Sequence, residues 1–302
     1  VFSGMFAVLI SKLFDLQIVH GEDYLRDYIQ LTEREVSTPG TRGNIYDRNG
    51  NVLAYSELAY VVTIQDNGEY STSAEKNNMF LRLVRILNRH GESVIGRFEV
   101  AIDESGEMYY TSTSETSRKR FLSDLYGLKT IDELTGPDGK YPDVTARELF
   151  ENRMKEYGLN DLKDEDGNPV EMTDEEALQV INIRYTMGLT AYRKYEATQV
   201  TSYIAEETMA DITEHSAELL GVDVAETTIR VYNDSVYFAP IIGYTGKVQE
   251  DQLELLRAEN SDYELTDIVG RTGIEADMET ALQGKKGHQT ICVDNVGRVM
   301  EV

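Results

Sequence analysis

One serine in this sequence has the spacing that a nucleophile and its base require. Ser73 and Lys76 stand three residues apart, so that on a helix the amine lies one turn from the hydroxyl and can accept its proton. Acyl transfer of this kind also uses an S-x-N and a K-T-G sequence further along the chain. No S-x-N occurs, and Arg271-Thr272-Gly273 only mimics K-T-G. We therefore interpret Ser73 as a chance match and predict that this chain has no catalytic residue.

Other chemistries find weaker support in the sequence. With 54 acidic residues, close carboxylate pairs arise by chance, and nothing singles out a general acid beside a base. The segment DEDGN at 164–168 is similar to an acidic calcium loop. An EF-hand loop with Gly167 in sixth position would begin at Leu162, which cannot be a ligand. The four histidines are scattered and Cys292 is the single cysteine, so we predict no metal site and no cofactor.

The charge balance narrows the classes of partner. The 302 residues include 29 Lys and Arg against 54 Asp and Glu, which gives a net charge of −25. Phosphate binding needs clustered basic side chains, so we expect no nucleic-acid partner. Such a charge favours solubility, and a surface that recognises cations or a basic partner is the alternative. The length allows one large domain or two modest ones.

The hydrophobic pattern predicts the elements that would position any site. Asn49-Gly50 between apolar runs predicts a β-hairpin, and Thr173 with Glu176 predicts a capping box at the start of a helix. A strand is expected over residues 222–232 and two more within 288–302. Helices are expected over residues 79–88, 143–154, 173–183, 202–220, 248–257 and 273–282. The mixture indicates an α+β fold.

The first ten residues, VFSGMFAVLI, carry no charge. A membrane-spanning helix needs about 20 apolar residues, so this stretch falls short of a complete span. It fits either a buried core helix or the outer end of a truncated anchor. Its place at the very start, running into the mixed segment 13–20, favours the anchor.

Charged, aromatic and glycine residues recur together in four short segments. The first is RGNIYDRNG at 42–50, followed by Leu53-Ala54. The second is RVY at 230–232, followed by IGY at 242–244. The third is GRTGIE at 270–275, followed by LQG at 282–284 and by Gly287, and the fourth is DNVGR at 294–298.

These segments, in this order, resemble signature sequences of class B penicillin-binding proteins. The first resembles R-G-x-I-x-D-R-N-G with L-A soon after it, and the second resembles R-x-Y-P leading to I-G-Y, with Asn233 in place of the proline. The segment LFDLQIV at 13–19 also resembles the L-x-x-L-Q-I just outside the family's membrane anchor. The resemblance covers residues 13–65 and 185–302. Residues 66–184 show no signature and stand where the family has a variable head insertion.

The resemblance implies an α+β chain in four parts. Residues 1–19 would be the end of a membrane anchor, 20–65 and 185–302 two parts of an elongated pedestal, and 66–184 an inserted acidic head subdomain. In the family, the pedestal is extracytoplasmic, sits on a single-pass anchor in the cell membrane, and precedes a transpeptidase domain. The implied partners are a membrane-embedded peptidoglycan glycosyltransferase and other wall-synthesis proteins, and a homodimer is left open.

We expect the signature residues to have a structural role. The glycines stand where close approach or a positive φ is cheap only for glycine, and the charged residues suit a network that joins distant segments. Our hypothesis is that Glu275 pairs with Arg42 or Arg48 and so joins the first hairpin to the third signature. The predicted structural residues are Arg42, Gly43, Asp47, Arg48, Gly50, Arg230, Tyr232, Gly243, Tyr244, Gly270, Gly273, Glu275, Gly284, Gly287, Asp294, Gly297 and Arg298.

The sequence thus predicts a non-catalytic pedestal. It would position a C-terminal D,D-transpeptidase for peptidoglycan cross-linking and dock wall-synthesis partners. Two alternatives stay open: an enzyme whose natural chain includes the transpeptidase, and a free-standing surface scaffold or sensor without one. An S-x-x-K downstream of this chain would discriminate between the two.

Overall fold

The helices and strands of the chain alternate irregularly. The computed structural model describes residues 2–20, 33–38, 40–66, 68, 70–135, 144–164, 166–189, 191, 196–264, 267–293 and 299–301. The helices are α1 (Phe2–Phe14), α2 (Ser73–Arg89), α3 (Glu115–Leu125), α4 (Ile131–Thr135), α5 (Ala146–Glu156), α6 (Asp174–Leu189), α7 (Glu206–Glu214), α8 (Ser235–Ile242), α9 (Glu250–Glu259), α10 (Gly273–Asp277) and α11 (Glu279–Leu282). The strands are β1 (Glu33–Thr38), β2 (Ile45–Tyr46), β3 (Val52–Ile64), β4 (Val100–Ile102), β5 (Met108–Tyr110), β6 (Thr198–Gln199), β7 (Val222–Tyr232), β8 (Thr245–Lys247), β9 (Ile268–Gly270), β10 (Gly287–Val293) and β11 (Val299–Glu301).

The chain forms two compact units. We call Val1–Ala59 with Thr227–Val302 the motif unit, because it contains the four signature segments, and Tyr60–Glu226 the helical unit. The helical unit contains the predicted insertion but extends beyond residues 66–184. Its core includes Val62 of β3, which precedes this range in sequence, and Val200 and Ile212, which follow it, and all three are buried. Segments that the sequence assigned to the pedestal therefore complete this apolar core.

The core of the helical unit is built around α2 and α6, which pack against each other. Leu83 and Leu87 of α2 and Ile181 of α6 are fully buried. The predicted capping box at the start of α6 is confirmed: the Glu176 N–H donates to Thr173 Oγ1 at 3.1 Å, and the Thr173 N–H donates to Glu176 Oε2 at 3.0 Å. Two backbone donors that the first turn would leave unpaired are thus satisfied.

Asp211 on α7 ties that helix to the end of α2. Its carboxylate pairs with Arg89 Nη1 at 2.8 Å, His90 Nε2 at 2.9 Å and His215 Nδ1 at 3.1 Å. The hydrogen bond from His90 and the nearby positive charges hold the pKa of Asp211 below its ordinary value. The hydrogen bond to the Asp211 backbone and the adjacent carboxylate raise the pKa of His215.

These opposite pKa shifts predict how protonation affects the stability of the helical unit. The raised pKa of His215 stabilises the folded state below about pH 6.5 and loses that effect as pH rises through the folded value. His215→Asn keeps a donor at the Nδ1 position but cannot titrate. We expect the helical unit of this variant to lose less stability than that of the parent chain between about pH 6 and 8.5. Equal losses, measured by hydrogen exchange in peptides of the helical unit and corrected for the intrinsic pH dependence of exchange, would show that His215 is not the titrating group.

The motif unit is built from small antiparallel sheets. Strands β1, β10 and β11 form one sheet in that order, β2 pairs with the start of β3, and β8 pairs with β9. The hairpin predicted at Asn49-Gly50 is confirmed as the turn between β2 and β3. Ile45 and Ala54 of this hairpin bury against Ile242 of α8. The first and second signatures therefore share a core.

The N-terminal helix α1 presents apolar side chains to solvent. Phe6, Val8 and Leu9 are each about two-thirds exposed, at 65%, 69% and 67%. The buried-core alternative for this stretch therefore does not hold in the described structure. Among the described residues, no helix combines the length and the apolar character needed to cross a membrane.

Candidate functional site

A buried carboxylate stands at the centre of the motif unit. Glu275 lies on the short helix α10 and is 0% exposed. A charge removed this completely from water is tolerated only where opposite charges and hydrogen bonds surround it. The surroundings of Glu275 are therefore the first place to look for what holds the signatures together.

The side chain of Arg42, from the first signature, binds both the carboxylate and the backbone carbonyl of Glu275. Arg42 Nε donates to Glu275 Oε2 at 2.6 Å, and Arg42 Nη2 donates to the Glu275 carbonyl oxygen at 2.9 Å. The contact between these residues that the sequence predicts is therefore present. Arg48, the other predicted partner, lies exposed in the hairpin turn.

Arg230, from the second signature, binds the other oxygen of the same carboxylate. Its Nε donates to Glu275 Oε1 at 2.8 Å, and its Nη1 reaches Ser56 Oγ at 3.4 Å. Ser56 Oγ in turn donates to the Arg42 carbonyl oxygen at 3.3 Å. One carboxylate thus joins β7 to the segment before the first hairpin, although Arg42 and Glu275 are 233 residues apart in sequence.

A second buried carboxylate, Glu279, completes the network. It accepts from Arg42 Nη2 at 2.8 Å, from the Gly270 N–H at 2.7 Å and from the Tyr263 hydroxyl at 3.1 Å. Burial and the adjacent Glu279 charge raise the pKa of Tyr263 well above its ordinary value, so this hydroxyl remains a donor. Arg42, Arg230, Glu275 and Glu279 form what we call the ion network.

The ion network balances its charges, with two guanidinium groups against two carboxylates. Burial lowers the pKa of Arg42, but the hydrogen bonds that it donates to Glu279 and Glu275, and the charges of these carboxylates, outweigh burial, so the net shift is upward. A buried network of this kind fixes geometry better than it stabilises, because desolvation offsets much of the attraction. Removal of one member of the network is strongly destabilising, because its former partner is left as a buried unpaired charge.

Two glycines allow the C-terminal end of α8 and the N-terminal end of α10 to approach each other very closely. Gly243 ends α8 with φ 79° and ψ −153°, a conformation that essentially only glycine adopts. A Cβ atom there would overlap the carbonyl oxygen of Thr272, and one on Gly273, at φ 60°, would overlap the carbonyl oxygen of Ile241. The second and third signatures therefore meet backbone to backbone.

The hairpin residues of the first signature stabilise their own turn. Asp47 Oδ1 accepts from the N–H groups of Asn49 and Asn51, both at 2.8 Å, and the Gly50 N–H donates to the Asp47 carbonyl oxygen at 3.1 Å. The hydrogen bonds from Asn51 lower the pKa of Asp47. Asp47 thus acts within its own turn, at the surface. Of the four charged residues Arg42, Asp47, Arg48 and Glu275, for which a network was conceivable, the structure joins Arg42 and Glu275.

The remaining predicted residues lie around the network or outside the described structure. The Gly43 N–H donates to the Leu282 carbonyl oxygen at 2.7 Å, and Tyr232 packs partly buried against the core of Ile45, Ala54 and Ile242. Tyr244 is exposed, and its carbonyl accepts from the Arg271 N–H at 2.8 Å. Gly284 lies against the Thr41 backbone, and Gly287 begins β10 opposite Thr38. Three predicted residues lie outside the described residues: Asp294, Gly297 and Arg298.

Asn233, which replaces the proline of the second signature, has taken over a bonding role that proline could not fill. Its N–H donates to the Leu53 carbonyl oxygen at 2.9 Å and its Nδ2 donates to the Val52 carbonyl oxygen at 2.9 Å. These bonds join the end of β7 to the hairpin strand β3. Asp234 follows in the left-handed region, with φ 49°.

Restoring the family's proline is therefore expected to weaken this chain. Asn233→Pro removes both donors, and with each net hydrogen bond worth about 0.5–1.5 kcal/mol we expect a loss of about 1–2 kcal/mol at this exposed position. Asn233→Ala removes the side-chain donor alone and should cost less. Urea unfolding measures both variants, and a proline variant as stable as the parent would contradict the assigned role of the N–H.

The Ser73–Lys76 pair does not form a nucleophile and base in the structure. Ser73 is the first residue of α2 and its Oγ accepts from Arg184 Nη1 at 2.9 Å, while Lys76 Nζ pairs with Asp66 at 2.5 Å. In the acidic loop, Asp164 Oδ1 accepts from the Asn168 N–H at 2.8 Å, so that its carboxylate closes a turn.

The sequence reasoning missed two members of the network as ionic partners. Arg230 was predicted only as a signature residue, and Glu279 was not predicted at all. A signal was available for Glu279, since it follows Glu275 by four residues, a spacing that places two side chains on one face of a helix. A second acidic residue on the face that carries Glu275 would have been a second candidate partner for Arg42.

Comparison with known proteins identifies the same region. Residues 37–302 match the family described as the penicillin-binding protein dimerisation domain. Penicillin-binding protein 2A of Bacillus subtilis is 24% identical over 297 residues, which are 98% of this chain and 38% of that protein. Peptidoglycan D,D-transpeptidase MrdA of Acinetobacter baumannii is 25% identical over 111 residues, which are 37% of this chain and 16% of that protein.

A solved structure shows the same fold. Penicillin-binding protein 2B from Streptococcus pneumoniae (strain 5204) superposes with a TM-score of 0.50 and 19% identity, over 89% of this chain and 38% of that one. The predicted α+β class is thereby confirmed. The chain spans 38% of the length of its Bacillus subtilis relative. The family match includes the three signatures that the ion network joins, and the chain therefore belongs to the penicillin-binding protein dimerisation domain family.

Proposed function

We propose that this chain is the non-catalytic pedestal of a class B penicillin-binding protein. In this role it holds a D,D-transpeptidase domain in position for peptidoglycan cross-linking. It also docks wall-synthesis partners, among them a membrane-embedded peptidoglycan glycosyltransferase. The observation that carries the proposal is the family match over residues 37–302, together with relatives that extend well beyond the matched part.

The ion network supports a positioning role. A module that sets the place of another domain must itself keep one geometry, and a buried carboxylate shared by two guanidinium groups fixes the relative placement of the segments that it joins. Glu275 binds Arg42 and Arg230 at 2.6 and 2.8 Å and so fixes three signatures against one another. The residues that the sequence singled out thus act as a structural joint in this proposal.

The membrane attachment and the head insertion belong to the same proposal. The exposed apolar side chains of α1 suit the end of a single-pass membrane anchor at residues 1–19, with the rest of the chain extracytoplasmic. The helical unit corresponds to the head insertion, with its own core and its own boundaries.

Labelling with a fluorescent penicillin tests the proposal. An antibody raised against this chain is used on membranes of the source bacterium that have been treated with the label. We expect the antibody to detect a protein considerably larger than 34.2 kDa that also carries the fluorescence. Competition with unlabelled penicillin, which should abolish the fluorescence but leave the antibody signal, is the control.

The other outcome is equally informative. A band near the mass of this chain alone, without fluorescence, would mean a free-standing scaffold or sensor, and the pedestal proposal would have to be abandoned. A larger band that never takes the label would reject the transpeptidase part of the proposal.

A further inference from the structure

Helix α8 presents an uncharged apolar face to solvent. Phe238 and Ile242 pack into the core of the motif unit. Tyr237 and Ile241, which are also four residues apart, lie on the side of the helix that is exposed to solvent. Val236 is 88% exposed, Tyr237 79% and Ile241 59%. Tyr244, just after the helix, is 55% exposed. We call Val236, Tyr237, Ile241 and Tyr244 the α8 face.

The α8 face contrasts with the acidic composition of the chain as a whole. The helix sequence SVYFAPII has no charged side chain, whereas charged residues make up 27% of the whole. Large apolar side chains exposed together, two of them tyrosines, are typical of a surface that another protein covers. The helix is also held rigidly from below, because its C-terminal end meets α10 at Gly243 and Gly273.

We propose that the α8 face is the seat on which the domain that follows residue 302 docks. The inference rests on the proposed function, which places a transpeptidase domain there. The last described strand, β11, belongs to the same unit as α8, so a following domain begins from the unit that carries this face. The α8 face and the ion network belong to the same unit. A domain docked on this face would therefore be held in a fixed position relative to the ion network.

The size of the face favours an occupant in the same chain. A helix of eight residues is about 12 Å long and about 10 Å wide, far smaller than the roughly 800 Å² per partner that a stable complex between free proteins buries. A tethered domain needs less area because the linker supplies a high effective concentration. A second copy of this chain would also have to overcome repulsion between two molecules of net charge −25.

Hydroxyl-radical footprinting of tyrosines tests this seat. The oxidation of Tyr237 and Tyr244 is compared between this 302-residue chain and the full natural protein, at several protein concentrations. Tyr109 and Tyr203 of the helical unit, 49% and 52% exposed, are internal references. We expect Tyr237 and Tyr244 to be oxidised severalfold more slowly in the full protein, and the two reference tyrosines to react equally in both.

A pair of matched variants makes the test specific. Val236→Asp in the full protein should restore rapid oxidation of Tyr237, because a buried carboxylate without a partner opposes docking. Leu255→Asp, at a residue that is 73% exposed on α9, should leave the protection intact. Both side chains are exposed in this chain, so neither substitution removes a core contact.

The outcomes separate the inference from the function on which it rests. Equal oxidation of Tyr237 in both proteins, when the full protein takes the penicillin label, would overturn the seat but leave the proposed function standing. Protection that rises with concentration in the 302-residue chain would assign the face to a second copy and overturn the inference. A full protein that never takes the label would overturn both.

Discussion

Glu275→Gln is expected to destabilise the motif unit by about 3–5 kcal/mol, the cost of breaking a buried ion pair from one side. Glu275 is 0% exposed and binds both arginines of the network. The amide keeps the shape but turns an NH₂ group toward a guanidinium and leaves the network with an excess positive charge. Since whole domains are stable by about 5–15 kcal/mol, this one change would remove a large share of the unit's stability.

Hydrogen exchange followed by mass spectrometry measures this effect in the right place. Two units can unfold separately, so a single melting temperature would mix them. We expect faster exchange in peptides from the motif unit and unchanged exchange in peptides from the helical unit. The control is Arg147→Gln, which breaks an exposed pair of similar length, 2.7 Å to Asp174, and should cost far less because solvent screens the two charges. A cost for Glu275→Gln as small as that of the control would mean that water stabilises the charges of the network.

Gly243→Ala is expected to cost about 2–6 kcal/mol. The backbone conformation accounts for about 1–3 kcal/mol, because an L-residue rarely adopts φ 79° with ψ −153°. Overlap of the new Cβ with the Thr272 carbonyl adds about 1–3 kcal/mol, since the backbone atoms on both sides must shift. The effect should appear in α8 and α10, the two helices that cross at this point.

Two other glycines separate these contributions. Gly158→Ala places a methyl group in open space at φ 71° and should cost only the left-handed strain, about 1–2 kcal/mol. Gly188→Ala, near the end of α6 and also in open space, should stabilise by about 0.5–1 kcal/mol. If Gly243→Ala proves no worse than Gly158→Ala under urea, the close crossing of α8 and α10 does not constrain the chain.

Features that depend on near neighbours in sequence were predictable. The Asn49-Gly50 turn and the Thr173 capping box are local, and the pattern of residues predicts each of them. The strand expected over Val222–Tyr232 agrees with β7 from end to end. The contact of Arg42 with Glu275 was one of the two pairings predicted for Glu275, the other being with Arg48. The prediction came from the family resemblance, because the family has opposite charges in these two signatures.

Element boundaries that depend on tertiary contacts were not predictable. The helix expected over 202–220 is only α7, Glu206–Glu214, and the helix expected over 273–282 is interrupted at Met278 between α10 and α11. Glu275 and Glu279, on either side of this interruption, both bind Arg42. Val200 and Ile212, which lie after the expected end of the insertion in sequence, are buried in the core of the helical unit.

The network gives the signatures a physical explanation. Arg42 of the first signature and Arg230 of the second both bind Glu275 of the third. The glycines lie where the backbones that carry those charges come into contact.

The most direct test of this account is to map the acylated serine in the full natural protein. The protein is treated with penicillin, digested, and the peptide that carries the penicilloyl group is identified by mass spectrometry. We predict a single modified serine outside the 302 residues of this chain, and no adduct on the chain by itself. An adduct on Ser73 or any other serine within these residues would contradict the claim that this part of the protein positions a catalyst without being one.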